Sequence, residues 1–120
     1  MSQGYDRQYP VGLTPQVDAP AVNTAAVVTI AAPGVGYRTL IKQLLWSYSA
    51  APTGGRLTIT DAGVTVLDID IIAGGPGPLM ADYTGGDNAV LVVTLAAATI
   101  TGKLTVWSHK TSTIPGVARS

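Results

Sequence analysis

Two adjoining segments constrain this chain more than anything else in it. GRLTIT, residues 55 to 60, sets Leu57 and Ile59 against Arg56, Thr58 and Thr60, and VTVLDIDII, residues 64 to 72, sets Leu67, Ile69 and Ile71 against Asp68 and Asp70. Alternation of this kind belongs to strands with one buried face and one wet face. Between them, Asp61-Ala62-Gly63 is a hairpin-sized turn with a glycine available for positive φ. NAVLVVTLAA (88 to 97) and GKLTVWSHK (102 to 110) repeat the pattern, with Ala98 to Thr101 as the reversal, and AAVVTIAA (25 to 32) is a short β-branched run closed by Pro33-Gly34. Short strands at this spacing, punctuated by Gly and Pro, make an all-β sandwich or barrel.

YRTLIKQLLWSYS (37 to 49) reads two ways. Leu40, Ile41, Leu44, Leu45 and Tyr48 fit one helical face, whereas a strand would carry Leu40, Leu44, Trp46 and Tyr48 on one side and Ile41 and Leu45 on the other. The strand reading is adopted because the segment ends in aromatic and Ser residues, runs into Pro52-Thr53-Gly54-Gly55, and has only β neighbours. Outside the strands, residues 1 to 24 hold Pro10, Pro15 and Pro20 among polar residues and read as an extended, partly polyproline-like N-terminal arm. TSTIPGVARS (111 to 120) reads as a shorter C-terminal tail, which leaves residues 25 to 110 as the single sandwich domain.

The Gly/Pro-rich stretch IIAGGPGPLMADYTGGDNAV (71 to 90) raises the question of a phosphate-gripping loop. Such a loop presents backbone N–H groups at a helix start, usually with a lysine behind. Here Pro76 and Pro78 each remove an N–H, no Lys or Arg lies between Arg56 and Lys103, and a β-rich run follows. The stretch therefore reverses the chain and packs against something. Its small, uncharged residues allow close approach to a neighbouring subunit, with Leu79, Met80 and Tyr83 as candidate anchors, or they form a crossover between sheets; the sequence leaves both open.

Charged residues are only 12% of the chain, against about 25% in ordinary soluble domains, while 47% is apolar and the mean hydropathy is +0.34. Part of the surface is therefore expected to be covered by a partner. The seven Lys and Arg are scattered and balanced by seven Asp, giving net charge zero, so no cationic cluster suits DNA or RNA. No cysteine is present for a disulfide or thiolate. MSQGYDRQYPVG has no basic segment followed by an apolar one, and Ala19 to Tyr37, though uncharged for long enough, contains Pro20, Asn23, Pro33, Gly34 and Gly36; neither a signal peptide nor a membrane span is expected, and synthesis is expected in the cytoplasm.

Catalysis needs titratable groups gathered in a pocket. The only histidine, His109, shares a strand face with Trp107, Thr105 and Lys103 and has no histidine partners for a metal. Asp68 and Asp70 lie about 7 Å apart on one strand face, a spacing open to glycoside hydrolysis or calcium, with Asp82 and Asp87 as the only nearby carboxylates. Alternating Asp on the wet face of a strand is the simpler account. No serine sits in a G-x-S-x-G elbow. The reading is of no enzyme, no cofactor and no metal.

WSYSAAPTGGRLTITDAGVTVLDIDIIAGGPGPL (46 to 79) and TLAAATITGKLTVWSHKT (94 to 111) carry the phrases W-S-Y-S, P-T-G-G-R-L, D-x-D-I, G-G-P-G-P and L-A-A…T-G-K-L-x-V. In these, from about Tyr37 to Lys110, the chain resembles small structural proteins encoded in the head-gene region of tailed bacteriophages and prophages; Ile100 stands where Val is expected. The resemblance implies a jelly-roll-like β-sandwich, a head decoration or cement protein, forming a homotrimer on the outer capsid surface near three-fold positions and stabilising the major capsid protein's shell. It implies a virion location, and it fits the low charge. Tyr5, Arg7, Tyr9 and Pro10 of the arm are then the candidate capsid contacts, of types enriched at interface hot spots. The alternative is a trimeric jelly-roll module of a tail fibre or spike that binds a receptor or carbohydrate, with Trp107 and His109, or Trp46 and Tyr48, as the platforms available for a sugar.

Overall fold

The structure, a computed structural model, describes residues 14–79 and 82–112. The hairpin forms where alternation dictates it. Strands β4 (Gly55–Asp61) and β5 (Val64–Ile71) pair antiparallel, with Leu57 opposite Ile69 and Ile59 opposite Leu67. Ala62 and Gly63 take φ of 50° and 86°, the two left-handed positions that a type I′ turn requires.

Around this hairpin, β8 (Leu91–Leu95) and β2 (Ala26–Ile30) complete a back sheet in the order β2-β8-β4-β5. The front sheet, β1-β9-β3-β6, is built from β1 (Thr14–Asp18), β9 (Gly102–Ser112), β3 (Tyr37–Tyr48) and β6 (Gly77–Leu79), with the two-residue β7 (Tyr83–Thr84) also on β3. Every pairing is antiparallel, and no helix occurs among the described residues. Because β6 and β7 follow one another along the same edge of β3, they count as one interrupted strand, which turns nine strands into eight. The two sheets then run 1-8-3-6 and 2-7-4-5, the strand order of a jelly roll.

The core lies between the inner faces. β2 contributes Ala26, Val28 and Ile30, β8 contributes Leu91, Val93 and Leu95, and β4 contributes Leu57 and Ile59; opposite them stand Ile41, Leu44 and Tyr48 of β3 and Leu104 and Val106 of β9. At about 1.5–3 kcal/mol for each large aliphatic side chain removed from water, these residues dominate the drive to fold. Side chains close the β1–β2 side: Asp18 accepts from the Val27 N–H at 2.8 Å, and Gln16 donates to the Thr29 carbonyl at 3.4 Å.

Four expectations need correction. Residues 14–18, assigned to the arm, are a strand: β1 lines the free edge of β9, with Val17 opposite Thr105, because an edge strand tolerates Pro15 and needs little apolar content of its own. Ala98 to Thr101 does reverse the chain, but it carries it from the back sheet to the front sheet, so β8 and β9 do not pair. β9 continues to Ser112, two residues into the expected tail. In β3 a bulge between Ile41 and Gln43 shifts the alternation, so that Ile41 joins Leu44 and Tyr48 inside and Leu40 turns outward, while Leu45 stays on the side opposite Leu44 as expected.

Candidate interaction surfaces

The groups examined for chemistry lie apart. His109 sits on β9 opposite Leu40, and no cluster of three or more His, Cys, Asp or Glu suited to a metal occurs among the described residues. Asp68 is committed to Arg56, whose Nε and Nη2 reach its two carboxylate oxygens at 2.7 and 2.5 Å; this hydrogen bond holds Asp68 below the usual carboxylate range and raises Arg56. Asp70 is exposed beside them on the outer face of the back sheet. Asp82 meets Lys42 at 3.4 Å, and Asp87 accepts from the Gly36 N–H at 3.2 Å, so the carboxylates weighed as a calcium set serve separate tasks.

The Gly/Pro stretch carries the chain from the back sheet to the front sheet, and Gly74, Gly75 and Gly77 in it approach Ala50 and Trp46 of the same chain closely. A Cβ on Gly77 would fall within the Trp46 indole, 2.7 Å from Nε1 and nearer still to Cζ2 and Cε2. One on Gly75, whose φ is 82°, would lie 2.9 Å from Cζ3 of the same ring. Gly74 closes on the backbone of Ala50, and its carbonyl accepts from the Tyr48 N–H at 2.8 Å. The Trp of W-S-Y-S and the glycines of G-G-P-G-P are thus two halves of one contact, with Trp46 opposite Gly77 in the β3–β6 register. Tyr48 completes it: its ring centroid is 6.4 Å from that of Trp46, its hydroxyl donates to the Ala96 carbonyl at 2.7 Å, and burial raises its pKa.

Of the expected loop anchors, Tyr83 is half-buried against the core. Its hydroxyl donates to Asp61 Oδ2 at 2.6 Å, and the Gly86 N–H donates to the same oxygen at 3.0 Å. The Asp61 carboxylate, with partial burial behind it, pushes the Tyr83 hydroxyl up to about 12. Tyr83 is thus fastened within its own subunit. Leu79 pairs with Leu44 in the β3–β6 register, while Met80 and the arm residues Tyr5, Arg7, Tyr9 and Pro10 lie outside the described residues. Trp46 and Tyr48 face inward and offer no sugar platform.

What sequence reasoning missed is the outer face of the front sheet. One row crosses four strands, Val17, Thr105, Leu45 and Pro78, and the next holds Pro15, Trp107 and Gln43. Val17 is 67% and Leu45 36% exposed. No outward strand position on this sheet carries a carboxylate; its charges are Lys103 at one end, Arg38 at the other, and Lys42, exposed at the β3 bulge. The back sheet's outer face also has an exposed apolar residue in Val27, but it differs in bearing carboxylates, Asp68 and Asp70, beside Arg56, Thr58, Thr60 and Thr94. The front face could have been found only by knowing that β1 joins β9 and which side of β3 turns to the core.

No family model and no curated protein matches the chain. Among solved structures, it is similar to FlhE at 12% identity and a TM-score of 0.41, over 82% of this chain and 98% of that one. It is also similar to dimeric latent PorU from Porphyromonas gingivalis at 8% identity and a TM-score of 0.37, over 88% of this chain and 14% of that one. Both likenesses are too low to carry an argument about this chain.

Proposed function

We propose that this chain is a virion structural protein, a decoration or cement protein that binds the major capsid protein on the outer surface of a tailed-phage head as a homotrimer and stabilises the shell. The observation that carries the reading is the carboxylate-free outer face of the front sheet, where Val17, Leu45, Pro15 and Pro78 stand exposed around the half-buried Trp107. The five residues of β1, the five that face them on each of β9 and β3, and the three of β6, at about 3.3 Å along and about 4.8 Å across, make a plane of roughly 300 Å². That is a little over a third of one partner's share of a standard interface, about 800 Å². The low charge and the phrases that resemble those of phage head proteins support the same reading.

Sedimentation of the full chain tests the assembly, and a stained gel of purified particles tests the location. A trimer that Val17→Asp with Leu45→Asp converts to a soluble monomer is expected, with hundreds of copies per particle. A handful of copies would point instead to the trimeric fibre or spike module, and a soluble wild-type monomer would overturn the assembly reading.

A further inference from the structure

Along the inner face of the front sheet the residues change character at one level in three neighbouring strands. β3 runs inward through Tyr48, Leu44 and Ile41 and then presents Thr39; β9 runs through Leu104 and Val106 and then presents Ser108 and Lys110; β1 adds Gln16 beside them. Lys110 is directly opposite Thr39, Ser108 is opposite Ile41, and Gln16 is opposite Val106, so the four polar residues are contiguous. The back sheet stops short of them, because β2 ends at Ile30 and the chain turns away through Pro33. The result is an open cleft of about 300 Å³ with Gln16, Thr39, Ser108 and Lys110 on one wall and Ile30 and Pro33 on the other.

Two of these groups are costly as they stand. Thr39 is 3% and Ser108 5% exposed, and neither hydroxyl has a hydrogen-bond partner among the described residues. Buried hydroxyls without a protein partner lose hydration without full return, so a guest that supplies acceptors to them gains on binding. Lys110 forms no salt bridge among the described residues, and its ammonium is held 4.6 Å from the Tyr37 ring centroid. Gln16 uses one amide hydrogen on Thr29, leaving the second. The cleft therefore offers an ammonium, two hydroxyls and an amide N–H, with no carboxylate in its lining, opposite an aliphatic wall. That combination matches an anion with an apolar body.

We propose that this cleft binds a small carboxylate, its oxygens on Lys110, Ser108 and Thr39 and its hydrocarbon part on Ile30 and Pro33. An apolar cavity of about 150 Å³ accepts a benzene-sized guest, so a short aliphatic acid or the terminal residue of a peptide fits here. The assignment does not depend on where the protein sits.

NMR titration of the full chain with butyrate, 1-butanol, sulfate, and N-acetyl-glycyl-valine as the free acid and as the amide tests it. Butyrate or the dipeptide acid should shift the amides of Thr39, Ser108 and Lys110 saturably, with butanol, sulfate and the dipeptide amide at least about tenfold weaker. Lys110→Met should weaken the acid about tenfold, and Ser108→Ala several-fold, without altering the rest of the spectrum. Tighter binding of the dipeptide acid identifies a peptide terminus as the source of the carboxylate; tighter binding of butyrate identifies a free acid. Absence of saturable shifts, equal response to sulfate, or undiminished binding by Lys110→Met overturns the proposal.

Discussion

Gly77→Ala is the sharpest test of how the crossover is held. In the β3–β6 register Gly77 lies opposite Trp46, and an added Cβ would fall within the indole. Ordinary carbon contacts need about 3.5 Å, so the ring or β6 must move by roughly 1 Å. Overpacking of this kind costs about 1–3 kcal/mol. If the indole swings out instead, its lost burial costs a similar amount. We expect about 2 kcal/mol, a fall in Tm of roughly 8–12 °C for a domain of about 100 residues, and a red shift in tryptophan fluorescence. Trp46→Leu removes the obstacle, so Gly77→Ala placed on Trp46→Leu should cost almost nothing further, and the double-mutant cycle should return a coupling near 2 kcal/mol. A Gly77→Ala protein within about 0.5 kcal/mol of wild type, or strict additivity with Trp46→Leu, would refute the contact.

Tyr83→Phe should destabilise by about 1 kcal/mol, the low end for a bond to a charged group because both partners are partly in solvent. The Tyr83 hydroxyl is raised from near 10 to about 12, so its contribution is complete below pH 10 and is lost as pH rises through 12; the alkaline fall in Tm should shrink in Tyr83→Phe and persist in part through Tyr48. Asp68→Asn with Asp70→Asn should leave Tm at neutral pH unchanged within error, and calcium should stabilise neither protein; calcium stabilisation lost in the double mutant would reinstate the metal site. Deleting residues 2–12 should leave a folded trimer with much reduced occupancy on undecorated heads, whereas deleting 2–20 removes β1, bares the β9 edge and should lower Tm as well. Equal occupancy after the shorter deletion would move the capsid contact onto the sandwich.

Much of the fold was legible because its strands alternate. β2, β4, β5, β8 and β9 each bury every second residue over part of their length, and short β-branched runs of that kind have few other uses. The β3 ambiguity has a definite cause: its bulge puts Ile41, Leu44 and Tyr48 inside at spacings of three and four, the spacing of a helical face. β1 was illegible because it borrows stability from β9 and is exposed at Pro15 and Val17. The turn at Ala98 to Thr101 was legible as a turn, but not as a change of sheet. Local residues encode the reversal, while the destination is set by which edge of β3 remains for β9, a contact far away in sequence.

The same distinction bears on what the chain's distinctive phrases can say about function. W-S-Y-S meets G-G-P-G-P at the indole of Trp46, and P-T-G-G-R-L brings Gly55 so close to Ile71 and Pro52 that a Cβ would lie 2.6 Å from the Ile71 carbonyl. T-G-K-L sets Gly102 under Leu95 and Tyr48 at the change of sheet. These phrases lie where the jelly roll needs a missing side chain or a crossing, so they identify an architecture and leave chemistry unspecified. Chemistry must then be sought where a residue departs from what the fold demands. Asp68 and Asp70 do not depart, since a wet face asks for polar groups. Leu45 and Val17 do, by standing apolar in solvent, and so do Thr39 and Ser108, by standing polar where the inner face of the sheet had been apolar up to Ile41 and Val106. The first pair asks for a protein surface to cover it, and the second for a small guest with acceptor oxygens.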